Sequence, residues 1–236
     1  MPDSLPNPPS SPAPAPAAPA FDPKAILDQF IAVVTKPADF FASAAIKDQK
    51  GFGPPLIFAV VMGLVAGIVG AIVAVLHLGV MAGPLGGAVG VGMGIAGIII
   101  SPIVAVIAAF IGGAIIHVIA LIASGKGTYE ASVRIACYGM AVYPVRALLD
   151  ILPPLGVLAS LYGLYIIALG IIALHAANRQ TTFVVVGILA AIAAIWTVAA
   201  WWMARHALEA LGASAQQMRE AAEQMRKAAE AAKQAQ

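Results

Sequence analysis

The stretch PLIFAVVMGLVAGIVGAIVAVLH, residues 55–77, contains no Asp, Glu, Lys or Arg. It is long enough to cross a bilayer, because a membrane-spanning helix needs about 20 consecutive apolar residues. The uncharged run around it extends from residue 51 to residue 125, between Lys50 and Lys126. That length holds two spans and their connection, so this run alone predicts a protein that crosses the membrane more than once.

The composition of the whole chain supports the same class. Of the 236 residues, 61% are hydrophobic and 10% are charged, and the mean hydropathy is +0.93. A soluble domain carries about 25% charged residues, so this chain lacks the polar surface to cover a globule. A net charge of +2 without a basic patch predicts no nucleic-acid partner. Cys137 is the only cysteine, which excludes an intrachain disulfide and a CxxC metal motif.

We therefore predict an all-α, polytopic membrane helical bundle with five transmembrane helices. The membrane domain, 51–203, contains predicted spans at about 55–77, 95–123, 132–152, 155–175 and 181–203. The glycine-rich segment 78–94 fits an outer loop, a re-entrant hairpin or an extension of the second span. In the first span, small residues four apart favour close helix packing, and the expected packing residues are Gly63, Gly67 and Gly70.

Two segments precede this domain. Residues 1–23 contain nine prolines, and we expect a disordered arm because proline fixes φ and lacks an amide hydrogen. Residues 24–50 are predicted to form amphipathic helices, with Asp22 capping the first and a break at Lys36 and Pro37. These helices are too short and too charged to span. They lie in the membrane interface or pack on neighbouring protein.

Residues 204–236 are predicted to form an amphipathic helix beyond the last span. Alternating steps of three and four separate its apolar residues and alanines, which is the a/d pattern of a coiled coil joining protomers. A single exposed helix held by charge pairs is the alternative. The a/d positions are Leu208, Leu211, Ala215, Met218, Ala222, Met225, Ala229 and Ala232.

The distribution of Lys and Arg predicts the side of the membrane, because these residues are enriched in cytoplasmic loops. They occur in 24–50 and in the loops 124–134 and 176–180, whereas 78–94 and 152–155 carry none. The N-terminus is therefore expected in the cytoplasm and, after five spans, the C-terminus outside. The Ala/Pro-rich composition is typical of a GC-rich bacterium, so the expected location is the bacterial inner membrane.

No HExxH, GxSxG or P-loop motif is present, so we predict no enzyme activity, cofactor or metal. His117 takes part in a proton path or in an ordinary hydrogen bond between helices. His175 ends a span, where a half-solvated imidazole is expected. Arg146 and Asp150 share a helix face, because they are four residues apart. They form either a structural ion pair near the outer interface or a lipid-headgroup or ion-path site.

The segment IIHVIALIASGKGTYEASVRIACYGMAVYP, residues 115–144, resembles the Yip family of Ypt/Rab-interacting membrane proteins, in particular its bacterial members. KPADFF, residues 36–41, resembles the proline-then-Phe-Phe helix of that family, and the resemblance covers about 36–203. It implies a five-span protein with a cytoplasmic N-terminus that acts in membrane organisation or trafficking. The matching positions are His117, Gly125, Gly127, Thr128, Tyr129, Tyr138 and Pro144.

Two functions follow as hypotheses. The first is a non-enzymatic protein that organises the membrane or partner proteins. Its expected partners are the lipid bilayer, an unidentified protein and further copies of itself, held through the spans and the C-terminal helix. The second is a transporter, channel or lipid-moving protein that uses the intramembrane Arg146–Asp150 pair.

Overall fold

The computed structural model describes residues 22–151 and 153–234, and its regular structure there is entirely helical. The all-α class expected from the hydropathy is therefore confirmed. The predicted arm lies outside the described residues, apart from Asp22 and Pro23. In chain order the helices are α1 Pro23–Thr35, α2 Pro37–Ala42, α3 Ala44–Lys47, α4 Gly53–Ile122, α5 Tyr129–Gly139, α6 Val142–Leu149, α7 Pro153–His175 and α8 Arg179–Gln234.

Four helical segments in the described part of the chain are long and apolar enough to cross a membrane, whereas the sequence predicts five spans. The four are Gly53–Leu76, Gly94–Ile122, Leu155–His175 and Arg179–Ala200. The difference lies in the predicted third span, 132–152. The structure divides that region into two shorter helices, α5 and α6.

Pro144 explains the division between α5 and α6. Proline has no N–H group, so it cannot donate to the carbonyl of Met140 four residues earlier, and its ring crowds that carbonyl. The N–H of Tyr143 donates to the Met140 carbonyl instead, at 2.9 Å, and the N–H of Ala141 donates to the Tyr138 carbonyl at 3.1 Å. The chain tightens over this turn and then continues as α6.

Helix α4 folds back on itself. A straight helix would place Gly63 about 57 Å from Ser101, given a rise of about 1.5 Å per residue. Yet the Ser101 hydroxyl donates to the Gly63 carbonyl at 2.7 Å. The chain therefore reverses between Ala71 and Gly94, which also lie in contact. The segment 78–94 that contains this reversal is helical in its backbone. We call the two arms α4a, 53–76, and α4b, 94–122.

Helix α5 forms the centre of the bundle. Every residue from Ala131 to Gly139 is buried, so α5 has no face towards solvent or lipid beyond its first two residues. α4b packs against it at Val133, close to Gly113. α4a and α2 meet it at Tyr138, whose ring lies 5.1 Å from that of Phe58 and 4.9 Å from that of Phe40.

Helices α1 to α3 pack along the side of the bundle. Val33, Phe41 and Ile46 are buried there. The Tyr162 hydroxyl of α7 donates to the Val34 carbonyl at 2.6 Å. Tyr162 lies 13 residues before the end of α7, which corresponds to about 20 Å along the helix. α1 nevertheless keeps an exposed apolar face at Leu27, so it has both a face packed on protein and an unpacked apolar face.

Helix α8 is one continuous helix that joins the predicted fifth span to the C-terminal segment without a break. Its span, Arg179–Ala200, is 6% buried, against 28–33% for the other three candidate spans. Ile188, Ile195 and Trp196 are exposed on it. The side chains at the a/d positions of the tail lie outside the described side chains. The span of α8 is therefore the least buried of the four candidate spans.

Candidate functional site at the loop end of the bundle

Two loops meet at the end of the bundle where α4b and α7 both finish. We call this the loop end and define it by residues 123–128 and 175–178. The N–H of Lys126 donates to the His175 carbonyl at 2.8 Å, and the N–H of Asn178 donates to the Ala123 carbonyl at 2.9 Å. These reciprocal bonds satisfy carbonyls that a helix end leaves without an intrahelical partner. They hold the ends of α4b and α7 side by side.

Each of the two loops begins with a residue in the left-handed region that is not glycine. Ser124 has φ 59° and Ala176 has φ 48°. For an L-residue with a Cβ atom, this conformation costs roughly 1–2 kcal/mol. The interlocked loops must supply that energy, so the loop end holds local backbone strain.

Gly125 and Gly127 permit the close packing of the first loop on α7. A Cβ atom on Gly125 would lie 2.9 Å from the Ala120 carbonyl oxygen and 2.9 Å from the His175 Cβ. A Cβ atom on Gly127 would lie 2.7 Å from Cγ of the His175 ring and 2.9 Å from the Leu174 carbonyl oxygen. Any larger residue would therefore push the loop away from His175.

Ser132 joins two histidines that are far apart in the sequence. Its hydroxyl oxygen lies 3.0 Å from His175 Nε2 and 3.3 Å from His117 Nδ1. A hydroxyl has one proton to donate, so a histidine N–H supplies the proton in at least one of these contacts when both are hydrogen bonds. His175 is 1% exposed, so the half-solvated environment expected for it is wrong. The glycine loop that covers its ring is the reason.

Tyr129 closes the other side of this polar cluster. Its ring lies edge-on to His117, with the centroids 6.1 Å apart, and its hydroxyl donates to the Phe110 carbonyl at 2.9 Å. The hydroxyl of Thr128, the residue before α5, accepts from the N–H of Ala131 at 3.3 Å and caps the helix. The structure thus places four of the family-motif positions, His117, Gly127, Thr128 and Tyr129, in one cluster.

Arg134 connects α5 to the N-terminal helices. It is 5% exposed, and its Nη1 donates to the Ile46 carbonyl at 2.9 Å. Its Nη2 donates to the Gln49 carbonyl and lies 3.1 Å from a carboxylate oxygen of Glu130. The same carboxylate oxygen accepts from the N–H of Gly51 at 2.5 Å. Two residues of α5 therefore hold the end of α3 and the chain that follows it.

This role of Arg134 is not apparent from the sequence, in which the residue is only a positive charge beside a predicted span. The available signal was Glu130, four residues earlier, since oppositely charged residues at that spacing meet on a helix. The contacts with Ile46 and Gln49 cross more than 80 residues of sequence and carry no local signal.

Arg146 and Asp150 lie apart from the loop end. Arg146 Nε is 3.7 Å from a carboxylate oxygen of Asp150, and the two side chains are 52% and 48% exposed. The Asp150 carboxylate lies against Gly156 at the beginning of α7. Arg146 also forms part of the wall of a mainly apolar groove of about 370 Å³ between α4b, α5, α6, α7 and α8. The two side chains thus lie close to each other, but they are not part of the cluster around His117.

The three packing glycines predicted in α4a have different surroundings. A Cβ atom on Gly63 would lie 2.8 Å from the Ala105 Cβ, and one on Gly67 would lie 3.0 Å from the Gly97 carbonyl oxygen. A Cβ atom on Gly70 would meet nothing within 4 Å. Gly63 and Gly67 therefore lie in the contact between α4a and α4b, and Gly70 does not.

Within residues 22–151 and 153–234, no three His, Cys, Asp or Glu side chains come close enough together to hold a metal ion. The serine at the centre of the histidine cluster is fully buried. The contacts at the loop end connect helices to one another.

A helical chain with four segments suited to crossing a bilayer defines a multi-pass integral membrane protein. The chain belongs to the Yip1 domain family, whose model matches residues 31–203. This confirms the resemblance found between 36 and 203. A search of curated proteins and a search of solved structures each found no match. The family is one of membrane proteins and is not known for enzymes.

Proposed function

We propose that this Yip1-domain protein is a non-enzymatic scaffold that organises partner proteins and further copies of itself in the membrane. The observation that carries the proposal is the isolation of α8. Its span is 6% buried, yet the helix continues beyond the span to Gln234. A span that packs so little within its own chain has most of its surface available for another molecule.

A second copy of the chain is the occupant that we propose for α8. The a/d spacing from Leu208 to Ala232 provides a seam for a coiled coil outside the membrane. The glycine face of α4a contributes nothing to this contact, because Gly63 and Gly67 already pack on α4b within the chain. The exposed face of the α8 span, with Ile188, Ile195 and Trp196, is the contact that we propose within the membrane.

The polar residues support a role without catalysis. Ser132 and His175 are buried and contact each other, and Arg134 binds carbonyl groups of the N-terminal helices. All of them hold elements of the same chain together. The result is a rigid loop end on which α1 to α3 are fixed in place, as a surface that recognises partners requires.

We also propose that α5 and α6 form a fifth crossing as one broken helix. α5 begins at the loop end, and Asp150 at the end of α6 lies against Gly156 near the beginning of α7. α7 then returns to the loop end at His175. The α5–α6 segment thus connects the same two ends of the bundle as α7 does. Irregular backbone is tolerated at membrane depth when protein covers it, and Met140 and Ala141, at the break between α5 and α6, are both buried.

The proposed orientation places the loop end and the N-terminus in the cytoplasm of a bacterial inner membrane and the C-terminus outside. Its support is the positive charge at the loop end and in the segments beside it, because Lys and Arg are enriched in cytoplasmic loops. The cations concerned are Lys47, Lys50, Lys126 and Arg179.

The test is chemical crosslinking in native membranes followed by affinity purification and mass spectrometry. Truncation after His206 is expected to lower the size of the crosslinked oligomer, and so is Leu211→Lys, which places a charge in the a/d seam. Gln217→Lys is the matched control, because it adds the same charge outside the seam. Equal oligomer sizes for all four proteins would refute self-association through the tail. A second protein recovered in stoichiometric amount would support the scaffold role.

A lipid-moving function is the second candidate, and one observation favours it. Arg146 lies in the wall of an apolar groove of about 370 Å³, where a phosphate group and an acyl chain would find complementary surfaces. Under this function, Arg146→Leu combined with Asp150→Leu abolishes the movement of labelled phospholipids in proteoliposomes. Under the scaffold function, the double variant keeps its partners, and neither it nor the parent moves lipid.

A further inference from the structure

A second cavity opens at the loop end, between the N-terminal helices and α5. Its volume is about 480 Å³, and Lys47, Lys50, Thr128, Glu130 and Arg134 contribute to its walls. Ala173 and Leu174, in the last turn of α7, line it as well. The cavity therefore lies at the level where a membrane span ends, which is the level of the lipid headgroups.

The charge of the cavity is positive. Its walls hold Lys47, Lys50 and Arg134 against the single carboxylate of Glu130. That carboxylate already binds Arg134 and the N–H of Gly51. Among the described residues, no carboxylate lies within ion-pair distance of either lysine. Two cations thus remain available for an anion that enters the cavity.

Hydrogen-bond donors accompany this charge. α5 begins at Tyr129, and the first turn of a helix directs N–H groups without intrahelical partners towards its N-terminus. Arg134, which is 5% exposed, has an Nε–H group without a hydrogen-bond partner among the described residues. A buried donor of this kind costs free energy until an acceptor reaches it. Arg134 lines the cavity, so its guanidinium group lies beside any anion that binds there.

We propose that this cavity binds a phosphate group, either in the headgroup of an anionic phospholipid or as a free phosphate. A phosphate supplies several strong acceptor oxygens and a negative charge, which suits two lysines, an arginine and a helix N-terminus. The ligand would join α3 to α5 directly, because Lys47 ends α3 and Lys50 follows it, whereas Arg134 belongs to α5. Binding therefore fixes the N-terminal helices more firmly on the membrane domain.

The test uses the purified full chain in detergent micelles and follows heat unfolding through Cys137. This residue is the only cysteine and is fully buried, so a thiol-reactive fluorophore labels it when the bundle opens. Unfolding is measured with added phosphatidylglycerol, with added phosphatidylcholine and with inorganic phosphate in the absence of lipid. Binding to the native state raises the unfolding temperature as the ligand concentration increases.

The variant is Lys47→Ala combined with Lys50→Ala, and both side chains are exposed, so the fold is retained without ligand. Lys36→Ala combined with Lys126→Ala is the control, because it removes the same charge from exposed lysines that do not line the cavity. We expect the variant to weaken binding about tenfold or more, since charge-assisted hydrogen bonds are lost, and the control to bind as the parent does.

The two ligand series distinguish the sources of the phosphate. The site has lipid as its ligand if phosphatidylglycerol raises the unfolding temperature and phosphatidylcholine does not. This effect must also be lost in the variant and kept in the control. Stabilisation by inorganic phosphate with the same dependence on Lys47 and Lys50 supports the site with free phosphate as its ligand. No stabilisation by either ligand, or an equal loss in variant and control, overturns the proposal.

Discussion

Replacing Gly67 by alanine tests the closest contact between α4a and α4b. The new Cβ atom would lie 3.0 Å from the Gly97 carbonyl oxygen and 3.1 Å from the Ile98 Cα, and both atoms belong to the backbone. The Ser101 hydroxyl would be closer still, and it is held by its hydrogen bond to the Gly63 carbonyl at 2.7 Å. The two backbone atoms cannot move without separating the two arms of α4, and the hydroxyl can rotate away only by giving up its hydrogen bond.

The expected effect follows from two opposing contributions. Inserting a methyl group into a packed contact costs about 1–3 kcal/mol. Alanine in place of glycine within a helix gains about 1 kcal/mol. Gly70→Ala is the matched control, because its Cβ atom meets nothing within 4 Å and only the helical gain applies. The free energies of unfolding of the two variants should therefore differ by about 1–3 kcal/mol, which is the cost of the close contact at Gly67.

Labelling of Cys137 with a thiol-reactive fluorophore during heating measures this difference in detergent micelles. For a chain of this length, 1 kcal/mol shifts the unfolding temperature by about 2–4 °C, so Gly67→Ala should unfold about 2–12 °C below Gly70→Ala. Equal unfolding temperatures for the two variants would show that α4a and α4b do not approach each other in this way. The hairpin in α4 would then have to be abandoned.

Three further substitutions can be measured in the same labelling assay. Ser124→Gly should raise the free energy of unfolding by about 1 kcal/mol, because glycine adopts the left-handed conformation without strain; a loss of stability would count against the strained turn. Gly127→Ala should lower the free energy of unfolding by about 1–3 kcal/mol, because its Cβ atom would clash with the His175 ring and the Leu174 carbonyl oxygen. Unchanged stability would contradict the packing of the loop on α7. Arg146→Leu combined with Asp150→Leu should change the free energy of unfolding by no more than about 1 kcal/mol, because half-exposed ion pairs contribute little to stability. Failure of this double variant to fold would show that the pair is structural.

The spans could be predicted because their signal is local. Crossing a bilayer requires a run of apolar residues of fixed length, and α4a, α4b, α7 and the first part of α8 each contain one. The same criterion predicted one continuous third span, 132–152, where the structure has the two shorter helices α5 and α6. Pro144, which divides them, was visible in the sequence. The burial of residues 131–139 on all sides was not.

The candidate site was predictable only in part. The sequence singled out His117, Gly125 and Gly127 through a family resemblance, but it did not indicate what they contact. Ser132 and Arg134 looked like ordinary residues beside a loop. Their role arises because α3, α4b and α7 reach them from distant parts of the chain. A buried hydroxyl or guanidinium group leaves no periodic pattern, since its partners are backbone carbonyls and single side chains.

The sequence by itself determined that this protein is an all-α membrane protein of the Yip1 domain family, because apolar length, proline breaks and the glycine turn are local properties of the chain. Only the tertiary structure decided which residues meet. Gly63 packs inside the chain and Gly70 does not, His117 approaches His175 through Ser132, and Arg134 binds the N-terminal helices. The physical reason is that side-chain hydrogen bonds and close contacts depend on helix rotation and depth, which are set by the packing of the whole bundle around α5.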